Sequence, residues 1–386
     1  MKSRILIPCR NVKAYIMKFP IDQLWIDEDA IDEPLTKAII SRAGTTQVLV
    51  GQQAIEAKRA IKLASDPFKS GKRALKLMKN KGAFVKPCPG TPQYVCCGLE
   101  ILHIGQGCPM DCRYCALQAY FNRPMMEVFV NTDDLWASLK CHLQEQSNRF
   151  HRICTGEFTD SLAWDPLTNL AGRLVRFFAE QENASLEIKT KTNMIDSLMK
   201  LNPRGKTILS FSMNAREIIA REERSAASLK ERLLAAETAQ AHGYLLGFHF
   251  DPIIPVAGWE NGYSEVIDAI FRSVDSTGIA WISLGVLRFV PNLKDIVMTR
   301  FGPVPYFHDG FIRGLDGKSR LSAKRRIEIY QRLAERIRHH AADARIYLCM
   351  ESPHVWQEAL SIHMSSNEDL SSYLEHAVTS RPHFRA

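Results

Sequence analysis

The chain has 386 residues, 46% apolar and 24% charged, with a net charge of +8 and ten cysteines. That balance excludes global disorder, collagen and coiled coil, and suits one large α/β domain with an appendage, or two domains. No run of about 18 uncharged apolar residues occurs, so no membrane-spanning helix is expected. The N-terminal MKSRILIPCRNVK has too short an apolar run for a signal peptide, which makes cytoplasmic residence the expectation.

In chain order, residues 1–95 form an N-terminal basic appendage. They hold short apolar pieces, Ile5–Ile7 and Gln47–Val50, and a basic stretch from Lys58 to Lys86. The Pro/Gly-rich segment from Lys86 to Tyr94 reads as a linker or an extended connection. From Leu99 onward, strand-like runs recur at Leu99–Ile104, Phe150–Cys154, Leu186–Thr190, Thr207–Met213, Tyr244–Phe250, Trp281–Leu287 and Arg345–Met350. Helix-like runs fall between them. Leu135, Leu139 and Leu143 repeat every four residues, Ser228 caps a run closed by Gly243, and Ser322 opens another through Ile337. Strand and helix in alternation argue for a parallel sheet with helices outside. With no dinucleotide-binding glycine fingerprint, a full or partial TIM-like barrel is the better reading, with its chemistry at the C-terminal ends of the strands. Residues 96–290 would form the barrel core, and 291–386 a C-terminal extension carrying the substrate end and the last strand.

The cysteines are unevenly placed, seven of the ten lying between Cys88 and Cys141. The strongest signal is Cys108, Cys112 and Cys115, spaced C-x3-C-x2-C just after the first barrel-type strand. Three thiolates this close on a loop can wrap one soft metal centre. A structural zinc site wants four ligands. Cys88, Cys96 or Cys97 would have to complete one. Three ligands on a four-iron cluster leave one iron open for substrate or cofactor.

This spacing resembles that of the radical S-adenosylmethionine (AdoMet) superfamily. The resemblance implies a [4Fe-4S] cluster whose open iron chelates AdoMet, and a 5′-deoxyadenosyl radical that abstracts hydrogen from substrate. It also implies a partial TIM-like (β/α)6 radical SAM barrel. From about Leu99 to Trp281 the chain further resembles the spore photoproduct lyase family. The matching pieces are GCPMDCRYCALQAYF, RICTGEFTDSLAWDPLT, IKTKTNMIDSL, GKTILSFSMNAREI and GYLLGFHFDPIIPVAGWENGY, in family order. By this resemblance Cys108, Cys112 and Cys115 are the cluster ligands. Cys154 falls where the lyase keeps a cysteine that returns hydrogen to the product radical; the competing reading is a buried core cysteine. Tyr114 matches a tyrosine of the radical relay, or simply packs. Lys191 and Ser212 match AdoMet-contacting positions, with Asn214 beside them. The implied substrate is a thymine photoproduct in DNA, and the implied electron donor is a flavodoxin or ferredoxin.

Three departures stand out. Ala116 replaces the aromatic residue usual after the third ligand, Gly156-Glu157 replaces a serine-bearing turn, and the family's substrate-gripping hairpin is not recognisable beyond about Pro291. Two basic segments are candidates for phosphate contacts: Lys58–Lys86, and the helix carrying Lys324, Arg325, Arg326, Arg332, Arg336 and Arg338. Each reads equally as a solvated face. His249 and Asp251 share a strand face, and would contact cofactor or form a strand-end pair. Glu157 and Asp160 would contact adenosine or cap the following helix. Cys349 reads as a core residue.

Overall fold

The computed structural model describes residues 19–381 apart from 45, 122–123 and 308–309. Cys9 and the apolar piece Ile5–Ile7 lie outside them. The centre is a curled parallel sheet of seven strands in chain order: β1 (Glu100–Leu102), β2 (His151–Cys154), β3 (Ala184–Thr190), β4 (Thr207–Ser212), β5 (Leu245–Ile253), β6 (Ile279–Val286) and β7 (Ile346–Leu348). Every neighbouring pair is parallel, and Val85–Pro87 adds an antiparallel edge on β1. Strands covered on both faces need continuous apolar runs. Residues 279–286 of β6 are accordingly buried throughout.

The expected helices lie between the strands. Thr132–Glu145 buries Leu135, Leu139 and Leu143. Leu229–Ala241 starts at a capping box in which Ser228 and Glu231 satisfy each other's backbone N–H groups. Ala323–His340 is capped by Ser322 and buries Ile329, Tyr330, Leu333 and Ile337. It leads into β7, so the C-terminal region supplies the last strand of the sheet.

A second sheet of five strands runs Gln47–Val50, Gln23–Ile26, Ala74–Met78, Met126–Phe129 and Gly105–Gln106. The first four are parallel and the last antiparallel. The first 95 residues provide three of these strands, and the segment after β1 provides the other two. The cysteine loop lies between those two, so the small sheet fixes where the loop leaves and returns.

Several members of the two basic candidates pair with carboxylates or carbonyls from other parts of the chain. In the first, Arg73 pairs with Asp22, Lys76 with Asp27, Lys79 with Glu33 and Lys81 with Asp29. In the second, Arg326 is buried on Glu351, Arg336 pairs with Asp268, and Arg338 donates to the Leu360 carbonyl. Among the described residues no helix is long and apolar enough to cross a membrane.

Candidate active site

The cysteine loop opens at Gly107, whose φ of +81° favours glycine and whose Cβ would meet the Met125 carbonyl at 3.1 Å. Asp111–Cys112 then pairs antiparallel with Glu223–Arg224. Cys108, Cys112 and Cys115 line one pocket with Phe68, Lys72, Met110, Gln118 and Met126. Side chains hold several of the loop carbonyls. Lys72 Nζ donates to the Cys108 and Met110 carbonyls at 2.8 and 2.6 Å, and Gln118 Nε2 donates to those of Cys112 and Arg113 at 3.1 Å.

Arg300 ties the loop to the N-terminal region through Asp66. Its buried guanidinium donates to Asp111 and to Asp66 at 3.0–3.2 Å and to Gln118, and it stands over the Phe68 and Phe301 rings at 5.2 and 4.5 Å. Arg300→Leu keeps the bulk but removes the guanidinium from Asp66 and Asp111, leaving Asp111 only Lys72 at 3.8 Å. It should destabilise the fold by about 3 kcal/mol and loosen the loop. Urea unfolding and iron retained through gel filtration check both effects; unchanged values would make Arg300 dispensable.

Tyr114 and Lys191 meet at Glu223. The Tyr114 hydroxyl and Arg232 Nη2 both donate to this carboxylate, Lys191 Nζ stands 3.5 Å from it, and the same ammonium lies 5.9 Å from the Tyr114 ring centre. Burial works to raise the Glu223 carboxyl, but Lys191 and Arg232 override it and hold it at about 2. Burial, reinforced by Glu223, pushes the Tyr114 phenol well up, so it stays protonated. Ser212 ends β4 beside this group, its carbonyl accepting from Arg232 at 2.7 Å. Asn214 is engaged in the fold: its amide donates to the Pro252 carbonyl at 3.1 Å and accepts from the Tyr263 hydroxyl and Ala215 N–H.

Cys154 sits apart from that group, at the C-terminal end of β2 and fully buried. It packs with Leu99 and Ile101, next to Cys88, Cys97 and Phe158. Burial pushes its thiol up to about 12, against the opposing pull of Lys189. The S–H bond therefore persists at neutral pH. The loop after Cys154 touches the cysteine loop, the Phe158 carbonyl accepting from Gly107 N–H at 2.9 Å. Asp160 is consumed internally by the N–H groups of Leu162, Ala163 and Lys191 and by the Thr190 hydroxyl. Glu157 pairs with Lys189 at 3.7 Å.

His249 points across the sheet to Glu187 at 2.7 Å, where the Ser210 hydroxyl and Trp281 Nε1 also donate. Burial would raise Glu187, but His249 and Lys189 hold it at about 2. Asp251 instead forms a two-pronged pair with Arg288, both contacts 3.1 Å. A hairpin not apparent in the sequence joins Ile312–Arg313 to Ser319–Arg320, with Leu315 exposed at its tip.

A curled parallel half-barrel with a three-cysteine loop after its first strand is the architecture of a radical SAM fold. The chain belongs to the spore photoproduct lyase family, whose family model, described as "Spore photoproduct lyase", matches residues 19–304. The chain is 30% identical to the spore photoproduct lyase of Geobacillus sp. (strain Y412MC61) over 204 residues, 51% of this chain and 59% of the relative. It is 30% identical to that of Bacillus subtilis (strain 168) over 165 residues, 42% and 48% respectively. The match thus spans about half of each relative, 59% of the first and 48% of the second. Solved spore photoproduct lyases share the fold. A cysteine-to-alanine variant superposes with a TM-score of 0.76 at 23% identity, covering 86% of this chain and 99% of that one. A complex with dinucleoside spore photoproduct gives 0.76 at 22% with the same coverage. A further variant, with bound AdoMet and the dinucleoside, gives 0.75 at 21%, again with that coverage.

Proposed function

We propose that this protein is a radical SAM lyase that repairs a spore-photoproduct-type pyrimidine lesion in DNA, acting in the cytoplasm and reduced by a flavodoxin or ferredoxin. Cys108, Cys112 and Cys115 would hold a [4Fe-4S] cluster. The donor set fits: three buried or half-buried thiols line one pocket, and the loop offers no fourth cysteine. When bound, the cluster supplies the electron that splits AdoMet into methionine and a 5′-deoxyadenosyl radical. Lys191 and Ser212 would contact the methionine carboxylate and the ribose, Lys191 sharing its charge with Glu223. Tyr114, protonated on Glu223, would act as the relay phenol. Cys154 would give its hydrogen atom to the carbon radical of the opened lesion and keep the sulfur-centred radical, a role that its retained S–H bond suits.

The reading is carried by one observation: a three-thiol loop and a protonated, buried thiol share the mouth of a single parallel half-barrel. Relatives bound to AdoMet and to dinucleoside spore photoproduct support the substrate class. Extruding a damaged base costs less than extruding an intact one. The test is an anaerobic assay with dithionite and AdoMet, with and without irradiated DNA. 5′-Deoxyadenosine should form and repaired thymine should accumulate only with irradiated DNA. Cys154→Ala should still cleave AdoMet but divert the lesion radical to side products. Normal product from that variant would remove Cys154 from the mechanism; cleavage without thymine release from wild type would remove the lesion as substrate.

A further inference from the structure

The fold gathers four cysteines that neither the cysteine loop nor the proposed reaction uses. Cys88, Cys96 and Cys97 lie on the segment entering β1, and Cys349 follows β7, about 250 residues later. The Val95 N–H donates to the Glu351 carbonyl at 2.9 Å, an antiparallel bridge between the segment entering β1 and the segment leaving β7. Counting outward from that bridge, Cys97 comes opposite Cys349. Cys88 and Cys97 both pack against the small cluster of Leu99, Ile101 and Cys154, and Cys96 is the residue before Cys97.

Neighbouring groups fix the cysteine-bearing segments in place. Gly90 lies so near Cys96 that a Cβ there would meet its Sγ at 2.7 Å, so only a glycine lets the backbone fold over the sulfur. Arg288 Nη2 donates to Cys349 Sγ at 3.2 Å, and Arg152 Nη2 donates to the Cys97 carbonyl. The Cys96 N–H is fixed on Asn367 Oδ1 at 2.7 Å, which ties the segment to the C-terminal helix as well. Among the described residues, the one group of His, Cys, Asp or Glu donors mutually within 4.8 Å is Glu100, His142 and His151. There Arg149 and both histidines already occupy the carboxylate. No three of the four thiols are drawn that tightly, and neither are Cys108, Cys112 and Cys115. Such spacing suits a polynuclear cluster better than a single tetrahedral ion.

The geometry points to a second iron–sulfur cluster, ligated by Cys88, Cys96, Cys97 and Cys349, closing the gap between the first and last strands of the sheet. With four thiolates it would leave no iron open, unlike the loop site. Its residues are separate from Cys108, Cys112 and Cys115, so its metal content can be read whatever the substrate.

The test uses the full chain purified without oxygen. Wild-type protein should carry about eight iron and eight sulfide, and the Cys108→Ala/Cys112→Ala/Cys115→Ala variant about four of each. Adding Cys88→Ala and Cys349→Ala should remove the remainder, while Cys141→Ala, at an exposed cysteine, should change nothing. An iron-free triple variant, iron indifferent to Cys88 and Cys349, or zinc in place of iron and sulfide would overturn the assignment. A second measurement needs no substitution. In wild-type protein, Cys88, Cys96, Cys97 and Cys349 should resist alkylation together and become reactive together as a chelator strips the iron. Reactivity before stripping, or a Cys88–Cys96 disulfide in the anaerobic protein, would overturn it equally.

Discussion

Cys112→Ala should abolish 5′-deoxyadenosine formation, to the background of a reaction without enzyme, while leaving the barrel folded. Cys112 is the buried member of the proposed ligand trio, paired through its backbone with Glu223 and packed into the main core. Alanine fits that space, so the structural loss is a small cavity costing on the order of 1 kcal/mol. The chemical loss is total, because two thiolates from one loop cannot retain a cluster that needs at least three. No spare thiol stands in, since Cys154 packs with Leu99 and Ile101. The measurement pairs the 5′-deoxyadenosine yield with far-ultraviolet circular dichroism. Activity above background in a folded variant would sink the proposed ligand set. Cys141→Ala is the control: its thiol is exposed and bonded only to Glu145, so activity should not move.

The contrast between these cysteines shows what a sequence can carry. Cys108, Cys112 and Cys115 are legible because their spacing is itself the chemistry: three donors on one short loop need no knowledge of the rest of the fold. The seven barrel strands are legible for a similar reason, since burial on both faces writes continuous apolar runs. Lys72, Glu223, Arg232 and Arg300 were not legible. Lys72 and Arg300 work through partners far along the chain, as Arg300 does on Asp66 and Asp111, and nothing local distinguishes Glu223, the partner of Tyr114 and Arg232, from its neighbours in the run REERS. The five-stranded sheet was hidden because two of its strands come from around the cysteine loop. The basic helix is the opposite case. Its charge run is real, but Glu351 and Asp268, which neutralise Arg326 and Arg336, come from other parts of the chain. The hairpin of Ile312–Arg313 and Ser319–Arg320 is not legible because its two-residue strands are too short to show alternation.

Glu223→Gln should lower stability by about 3 kcal/mol at pH 7, and the deficit should shrink in acid. Glutamine keeps the shape and an acceptor for Tyr114, but leaves Arg232, which is fully buried, and Lys191 without their counter-charge. Glu223 is held at about 2 against an ordinary value of 4.5, a difference that corresponds to about 3 kcal/mol. The sign follows from the depressed value. The carboxylate's contribution is present in full above about 4.5 and is lost as the pH falls from there toward 2, because protonation of the native state then costs the pairing. Wild type and variant should therefore converge between those limits. Glu187, also held at about 2, titrates in both proteins and cancels in the difference. Urea unfolding of the metal-free chains at pH 7, 4 and 3 reads that difference without interference from acid-labile iron. A deficit that stayed constant with pH would mean that shape and hydrogen bonding at Glu223, rather than its charge, hold Tyr114 and Lys191 beside the cysteine loop.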